Sequence, residues 1–358
     1  MKGKASFTTL KKLYDESPTI RLSKNDRIVI FSDLHLGDGG EKDDFLLNSE
    51  ILYFVLKQHY LKNRYRLVLN GDIEELKKFP LKKIAGRWEN FYGLMKDFHN
   101  NSGLIKIAGN HDNELLFLKK FGIPGVFNPG KPLKAIKFHY QGNTILVFHG
   151  HQASIFFEKY DSVSAFFLRY IASPLGIKNY SVSHDSLKKF KIEKKVYNFS
   201  SRNKIISIIG HTHRPLFESL SKIDSIKFRI EQLCRNYISA KNRERNKIEK
   251  DIGYYKGELK HIYEQNYKNG SKSSLYNANL LIPCLFNSGT AIGKSGITAI
   301  EIAENSIALV HWFDRRRSEK HFSHNGQYPE RLGESDFFKL TLKKDHLDYI
   351  FTRIKLLA

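Results

Sequence analysis

The sequence predicts an α/β fold, and three observations predict it. Short runs rich in Ile, Val and Leu alternate with longer stretches whose apolar residues recur at helical spacing. Five of those runs end in clusters of Asp, Asn and His. The chain of 358 residues, 41% hydrophobic and 27% charged, is long enough and apolar enough to bury a sizeable core.

The elements follow in chain order. "RIVIF" leads into Ser32, Asp33 and His35, and "YRLVLN" into Gly71-Asp72. "LIKIA" leads into Gly109-Asn110-His111-Asp112, "NTILVF" into His149-Gly150-His151, and "KIISII" into Gly210-His211-Thr212-His213. Each run is short and branched, as buried strands are. "KDDFLLNSEILYFVLKQHYLK" separates the first two runs and "WENFYGLMKDFHN" the second and third, and both predict helices. Near the end, "CLFNSGT", "GITAIEIA" and "SIALVHWF" predict further strands, the last two joined by a hairpin turn at Glu304-Asn305.

Two segments depart from this alternation. Residues 152–203 hold an aromatic helix-like stretch followed by a basic one; over 188–204, seven Lys or Arg face one Glu. This segment is expected to be a helical cap that grips an anionic or lipidic substrate, or a pair of packed surface helices. Residues 222–280 place Ile223, Ile226, Ile230, Leu233 and Tyr237, then Ile248, Ile252, Tyr255, Leu259 and Ile262, near helical spacing, with a net charge of 13 basic minus 7 acidic, or +6. They predict one long helix or a helical hairpin, suited to core packing or to homodimerisation more than to nucleic acid.

Composition narrows the function classes. Cys234 and Cys284 lie far apart, so neither a disulfide framework nor a thiolate metal site is indicated. The N-terminal stretch lacks an apolar h-region and no run reaches 18 uncharged apolar residues, so neither a signal peptide nor a spanning helix is expected. The net charge of +22 predicts an anionic partner: a phosphorylated substrate, nucleic acid or an anionic membrane surface.

In ligand-strength terms the polar ends give Asp33, His35, Asp72, Asn110, His111, His149, His211 and His213. In open α/β sheets ligands gather beyond the carboxyl ends of the strands, where all these residues fall. Such a set of nitrogen and oxygen donors suits divalent Mn, Fe, Zn or Co. Two such ions can clamp both the attacking and the leaving oxygen of a phosphoryl displacement.

These blocks, in this order, resemble the calcineurin-like metallophosphoesterases, whose pattern runs D-x-H, G-D, G-N-H-D or G-N-H-E, a lone H, then G-H-x-H. The resemblance covers roughly 27–215, with "FNSG" and the closing strands as a continuation. It implies a four-layer α/β/β/α sandwich of two packed β-sheets, formed by a single domain over 1–358 with the helical segments as insertions. It implies two divalent ions, manganese foremost. Asp33, His35 and His213 would hold one ion, Asn110, His149 and His211 the other, and Asp72 both. A metal-activated hydroxide would attack phosphorus, and His111, oriented by Asp112, would protonate or stabilise the leaving oxygen. "FHGHQ" offers His151 beside His149; the family's ligand precedes Gly, which favours His149.

"SDLHLGD" and "NGDIEEL" are also similar to the UDP-2,3-diacylglucosamine pyrophosphohydrolases, which implies a diphosphate-linked substrate and a cytoplasmic protein at the inner membrane face. The sequence departs from that subfamily at His151, where an Asp is usual, and in the extra 222–280 segment. A nuclease, a cyclic-nucleotide phosphodiesterase or a phosphoprotein phosphatase of the same fold are the alternatives. A non-catalytic scaffold is disfavoured, because the ligand set is complete.

Overall fold

A computed structural model of the chain describes residues 2–116, 130–154, 186–218, 226, 230, 233–234, 236–238, 240–268, 282–317 and 328–358. In chain order the elements are α1 (Lys2–Glu16), β1 (Thr19–Arg21), β2 (Ile28–Phe31), α2 (Ser49–Val55) with a π-helical continuation (Leu56–Leu61), β3 (Arg66–Asn70), α3 (Leu81–Arg87), α4 (Glu89–Asn101) and β4 (Leu104–Ile107). They continue with β5 (Ala135–Tyr140), β6 (Asn143–Phe148), α5 (Ser186–Arg202), β7 (Ile206–Ile209), α6 (Asn242–Lys268), β8 (Leu285–Asn287), β9 (Ile297–Ala303), β10 (Ser306–Asp314), β11 (Glu330–Arg331), β12 (Phe337–His346) and α7 (Leu347–Leu357).

Among the described residues the strands form two mixed sheets, ordered β1-β5-β6-β7-β8 and β11-β12-β10-β9-β2-β3-β4. β2, β3 and β4 are parallel in one sheet, and β6, β7 and β8 in the other. Period-two alternation explains how the sheets stack. Ile28 and Ile30 of β2, Val68 of β3, Ile145 and Val147 of β6, and Ile206 and Ile208 of β7 meet in one core between the sheets. Val29, Phe31, Leu67 and Leu69 point the other way, against Leu52 and Val55 of α2 and Leu94 and Phe98 of α4. Leu146 and Phe148 pack outward on Leu10 of α1 and on Val196 and Phe199 of α5. Helices, sheet, sheet, helices: the four-layer α/β/β/α sandwich is the fold. Each buried aliphatic side chain stabilises it by roughly 1.5–3 kcal/mol.

All five motif-bearing runs are strands, and the Glu304-Asn305 hairpin turn is present, with both residues at positive φ. The sequence reading did not anticipate α1, α3, α7, β1, β5, β11 and β12. Of the two expected insertions, 155–185, most of 219–239 and 269–281 lie outside the described residues. α5 belongs to the first, and the 27-residue α6 to the second. Tyr237, just before α6, donates its hydroxyl to Glu249 at 2.6 Å. Among the described residues no helix is long and apolar enough to cross a membrane.

Candidate metal centre

The segments beyond β2 and β3 stay paired after the strands end. Asp33 N–H donates to the Gly71 carbonyl and His35 N–H to that of Asp72, each at 3.0 Å. Asp33, His35, Asp72, His211 and His213 all take positive φ, between 52° and 64°. Left-handed backbone at five non-glycine residues stores strain of a kind concentrated at functional sites. Close approach explains two of the motif glycines. A Cβ on Gly109 would overlap Asp72, and one on Gly210 would lie 2.6 Å from Asp33 Oδ2.

Each carboxylate spends one oxygen on backbone and turns the other inward. Asp33 Oδ2 accepts the His211 N–H at 2.9 Å, and Asp72 Oδ1 accepts that of His111 at 2.7 Å. Asp33 Oδ1 then lies 3.0 Å from His213 Nε2, and Asp72 Oδ2 lies 3.1 Å from His149 Nε2. His35 Nε2 is 4.0 Å from both inward oxygens and 3.3 Å from His213 Nε2. The rings are set from behind: His149 Nδ1–H donates to the Asn70 carbonyl at 2.8 Å, and His35 Nδ1–H to Glu75 at 2.9 Å. An imidazole tied at one nitrogen by a carbonyl or carboxylate, with the other nitrogen facing inward, is the arrangement of a metal ligand.

Three groups of donors result among the described residues: Asp33, His35 and His213; Asp72, His149 and His211; and His35, Glu75 and His111, in which Glu75 takes the outer nitrogens of the two rings. Asp33 Oδ1, Asn110 Oδ1, His149 Nε2 and His211 Nε2 are buried with no hydrogen-bond partner. Buried polar atoms without partners are costly, and these would be satisfied by cations between them. The residues therefore fit a pair of divalent ions, with Asp72 placed toward the first two groups.

Charge coupling is strong here. Burial acts to raise the Asp33 carboxyl, but His213 and His149 outweigh it and bring it down to about 2. Burial lowers His149, but Asp72 and Asp33 lift it to about 9. Burial and the neighbouring His149 push His211 down to about 3. The centre thus holds its carboxylates ionised near neutral pH.

His149, not His151, stands in the donor group. His151 is buried in the following turn with its ring centroid 5.4 Å from that of His149. Burial, and then His149 and His211, hold it well below the usual histidine range.

The expected partnership of His111 with Asp112 is corrected. His111 Nδ1–H donates to Glu75 at 2.7 Å, whereas Asp112 accepts the Ile73 N–H at 2.8 Å and that of Gly109. Asp112 is fully buried beneath the loop, so its two oxygens are consumed by backbone before they reach the ring. Burial, and then Glu74, raise it to about 7. Glu75 takes the orienting place, holding His35 and His111 together. Its signal in the sequence was only its position three residues after Asp72. Glu193 of α5 was also missed: it is fully buried, accepts the Thr212 hydroxyl at 2.9 Å and pairs with Arg214.

The fold thus brings a buried set of nitrogen and oxygen donors, fitted to a pair of divalent ions, to the carboxyl ends of the strands. A family model, calcineurin-like phosphoesterase, matches residues 26–237, more than half of the chain. The chain belongs to that family. A solved 5'-nucleotidase from Candida albicans SC5314 is similar at 16% identity and a TM-score of 0.23, over 56% of this chain and 44% of that one. The chain thus spans less than half of that enzyme's length. No curated protein matches it.

Proposed function

We propose that the chain hydrolyses a phosphodiester or diphosphate bond at a two-metal centre. Asp33, His35 and His213 would hold one cation, Asn110, His149 and His211 the other, and Asp72 would serve both. The observation that carries this reading is the convergence of buried, partnerless donor atoms around Asp72. When bound, two divalent ions lower the pKa of water and neutralise charge on the phosphoryl oxygens. Manganese suits the nitrogen and oxygen donors, as iron, zinc and cobalt do.

The chain's own residues do the rest. Glu75 accepts from His111 Nδ1–H and leaves Nε2, 4.0 Å from Asp72 Oδ2, as the nitrogen that would carry a second proton and give it to the leaving oxygen. His111 is 19% exposed and His213 17%, whereas Asp33, His35, Asp72, His149 and His211 are buried, so the open side of the site lies past His111 and His213. Asp112 holds the Gly109–Asn110 backbone against Asp72 and keeps Asn110 in place.

The motif resemblance supports a diphosphate-linked, nucleotide–lipid substrate and a cytoplasmic protein at an anionic membrane face. The charge of +22 supports a second reading, a nuclease. The test is hydrolysis of bis-p-nitrophenyl phosphate by manganese-loaded protein, with metal content measured alongside. Asp72→Ala is expected to fall to background turnover and to bind less metal while remaining folded. Wild-type turnover in that variant overturns the reading. Faster hydrolysis of single-stranded DNA than of a diphosphate-linked nucleotide selects the nuclease.

A further inference from the structure

We infer that Thr212, held by the buried Glu193 of α5, is a positioning residue that sets His211 and His213 together and so couples the affinities of the two metal ions. This inference rests on the two-metal reading above.

The run Gly210-His211-Thr212-His213-Arg214 leaves β7 and is held from two sides. Its histidines stand at the centre, His211 with Asp72 and His149, and His213 with Asp33 and His35. The residues that alternate with them are tied elsewhere. The Thr212 hydroxyl donates to Glu193 Oε1 at 2.9 Å, and Arg214 pairs with the same carboxylate, through Nε at 3.3 Å and through Nη2. Asn287, at the end of β8, donates from Nδ2 to Thr212 Oγ1 at 2.8 Å and to the Gly210 carbonyl at 3.1 Å. Thr212, Glu193 and Asn287 are all fully buried.

The direction of these bonds is fixed. Gly289 N–H donates to Asn287 Oδ1 at 2.8 Å, so the amide presents Nδ2 to Thr212. A hydroxyl has one proton to give. With its oxygen accepting from Asn287, Thr212 sends that proton to Glu193. Valine at 212 keeps the shape but leaves an Asn287 N–H and a Glu193 oxygen short of a partner in a buried place, which the turn can relieve only by moving.

The backbone shows what the anchor holds. His211 and His213 take φ of 64° and 54°, with one residue between them. Left-handed backbone at non-glycine residues persists where the surroundings impose it. On the inner side Asp33 Oδ2 accepts the His211 N–H at 2.9 Å; on the outer side Glu193 and Asn287 hold Thr212. Glu193 comes from a helix that is itself fixed, by Val196 and Phe199 in the core and by a 2.7 Å bond from Ser200 to Ser207 of β7. One turn thus carries one imidazole for each ion, and a shift of Thr212 moves both.

The experiment measures manganese uptake by competition with a chromophoric chelator, so it needs no turnover; folding is followed by circular dichroism and thermal melting. Thr212→Val is expected to weaken both ions about 10- to 100-fold, and Thr212→Ser, which keeps the hydroxyl, to return both to within about threefold of wild type. Thr212→Ala repeats the test if the Val variant misfolds. Val196→Ala loosens α5 without touching Thr212; it is expected to lower Tm yet to keep both affinities within about threefold. Equal metal loss in Val196→Ala and Thr212→Val would make the role merely structural and overturns the inference. Glu193→Ala, or Glu193→Gln if the Ala variant misfolds, completes a double-mutant cycle. The double variant is expected to bind metal about as Thr212→Val does, and a loss equal to the product of the two single effects overturns the anchoring by Glu193. A wild type that takes up fewer than two ions overturns the two-metal reading and the coupling with it. A wild type that takes up two, while Thr212→Val keeps both or weakens only one, overturns this inference and leaves that reading standing.

Discussion

Glu75→Gln tests the linkage between the metal centre and His111. The Glu75 side chain is only 3% exposed and accepts from two imidazoles, His35 at 2.9 Å and His111 at 2.7 Å. Burial acts to raise its carboxyl, but the bonds from His111 and His35 prevail and hold it well below the usual carboxylate range. Glu75 is therefore ionised wherever the protein is folded near neutrality. Glutamine keeps the shape but removes the charge, and it offers one acceptor oxygen where two rings need acceptors. One imidazole N–H then faces an amide N–H. Each charge-assisted bond that becomes neutral or is lost costs about 1–1.5 kcal/mol, so the pair costs about 2–3 kcal/mol. That corresponds to a loss of roughly 30- to 150-fold in kcat/KM on bis-p-nitrophenyl phosphate. Because His35 is also a proposed ligand, metal affinity should fall about 10- to 100-fold in a chelator competition. If both quantities stay within about threefold of wild type, Glu75 does not position these rings and the reasoning fails.

Three further predictions concern stability and metal binding. Lys106→Met leaves Glu74, fully buried and paired with Lys106, as an uncompensated charge; urea denaturation should show a loss of about 3–5 kcal/mol, and a loss under about 1 kcal/mol would contradict the buried pairing. His59 packs against Tyr60, Tyr65 and Trp312, and burial, and then Lys339, lower it to about 4 from 6.5. The unfolded chain therefore takes up this proton first, so stability falls as pH drops from 6.5 and the loss is complete below 4. Full linkage is worth roughly 3 kcal/mol, cut to about 1–2 by solvent around the partly exposed ring. His59→Phe should remove that part of the acid loss, and parallel stability–pH curves for the two proteins would refute it. Gly109→Ala drives a methyl into the Asp72 backbone and carboxylate; we expect less bound metal and a destabilisation of about 1–3 kcal/mol, checked by metal analysis and thermal melting, with unchanged metal content as the contrary result.

The strands and their polar ends were legible in the sequence because both signals are local. A branched apolar run such as "RIVIF" specifies a buried strand, and alternation alone sends Ile28 and Ile30 to one core and Val29 and Phe31 to another. Glycine beside Asp72, Asn110 and His211 was likewise written in the motif blocks, where a side chain would collide. Strands such as β1 and β12 were not legible: β1 is three residues long and is defined by pairing with β5, more than a hundred positions later.

What tertiary structure alone decided is who touches whom. Asp112 follows His111 in the chain, yet its oxygens are taken by Ile73 and Gly109, and Glu75 reaches the ring instead. Glu193 reads as one acid in a solvated basic run, yet it is fully buried, accepts the Thr212 hydroxyl and pairs with Arg214, and so ties α5 to the turn after β7. Sequence spacing fixes the face and the period of an element, which are properties of its own backbone. The partner of a buried charge depends on which loops two packed sheets bring together at their carboxyl ends, and no local pattern encodes that.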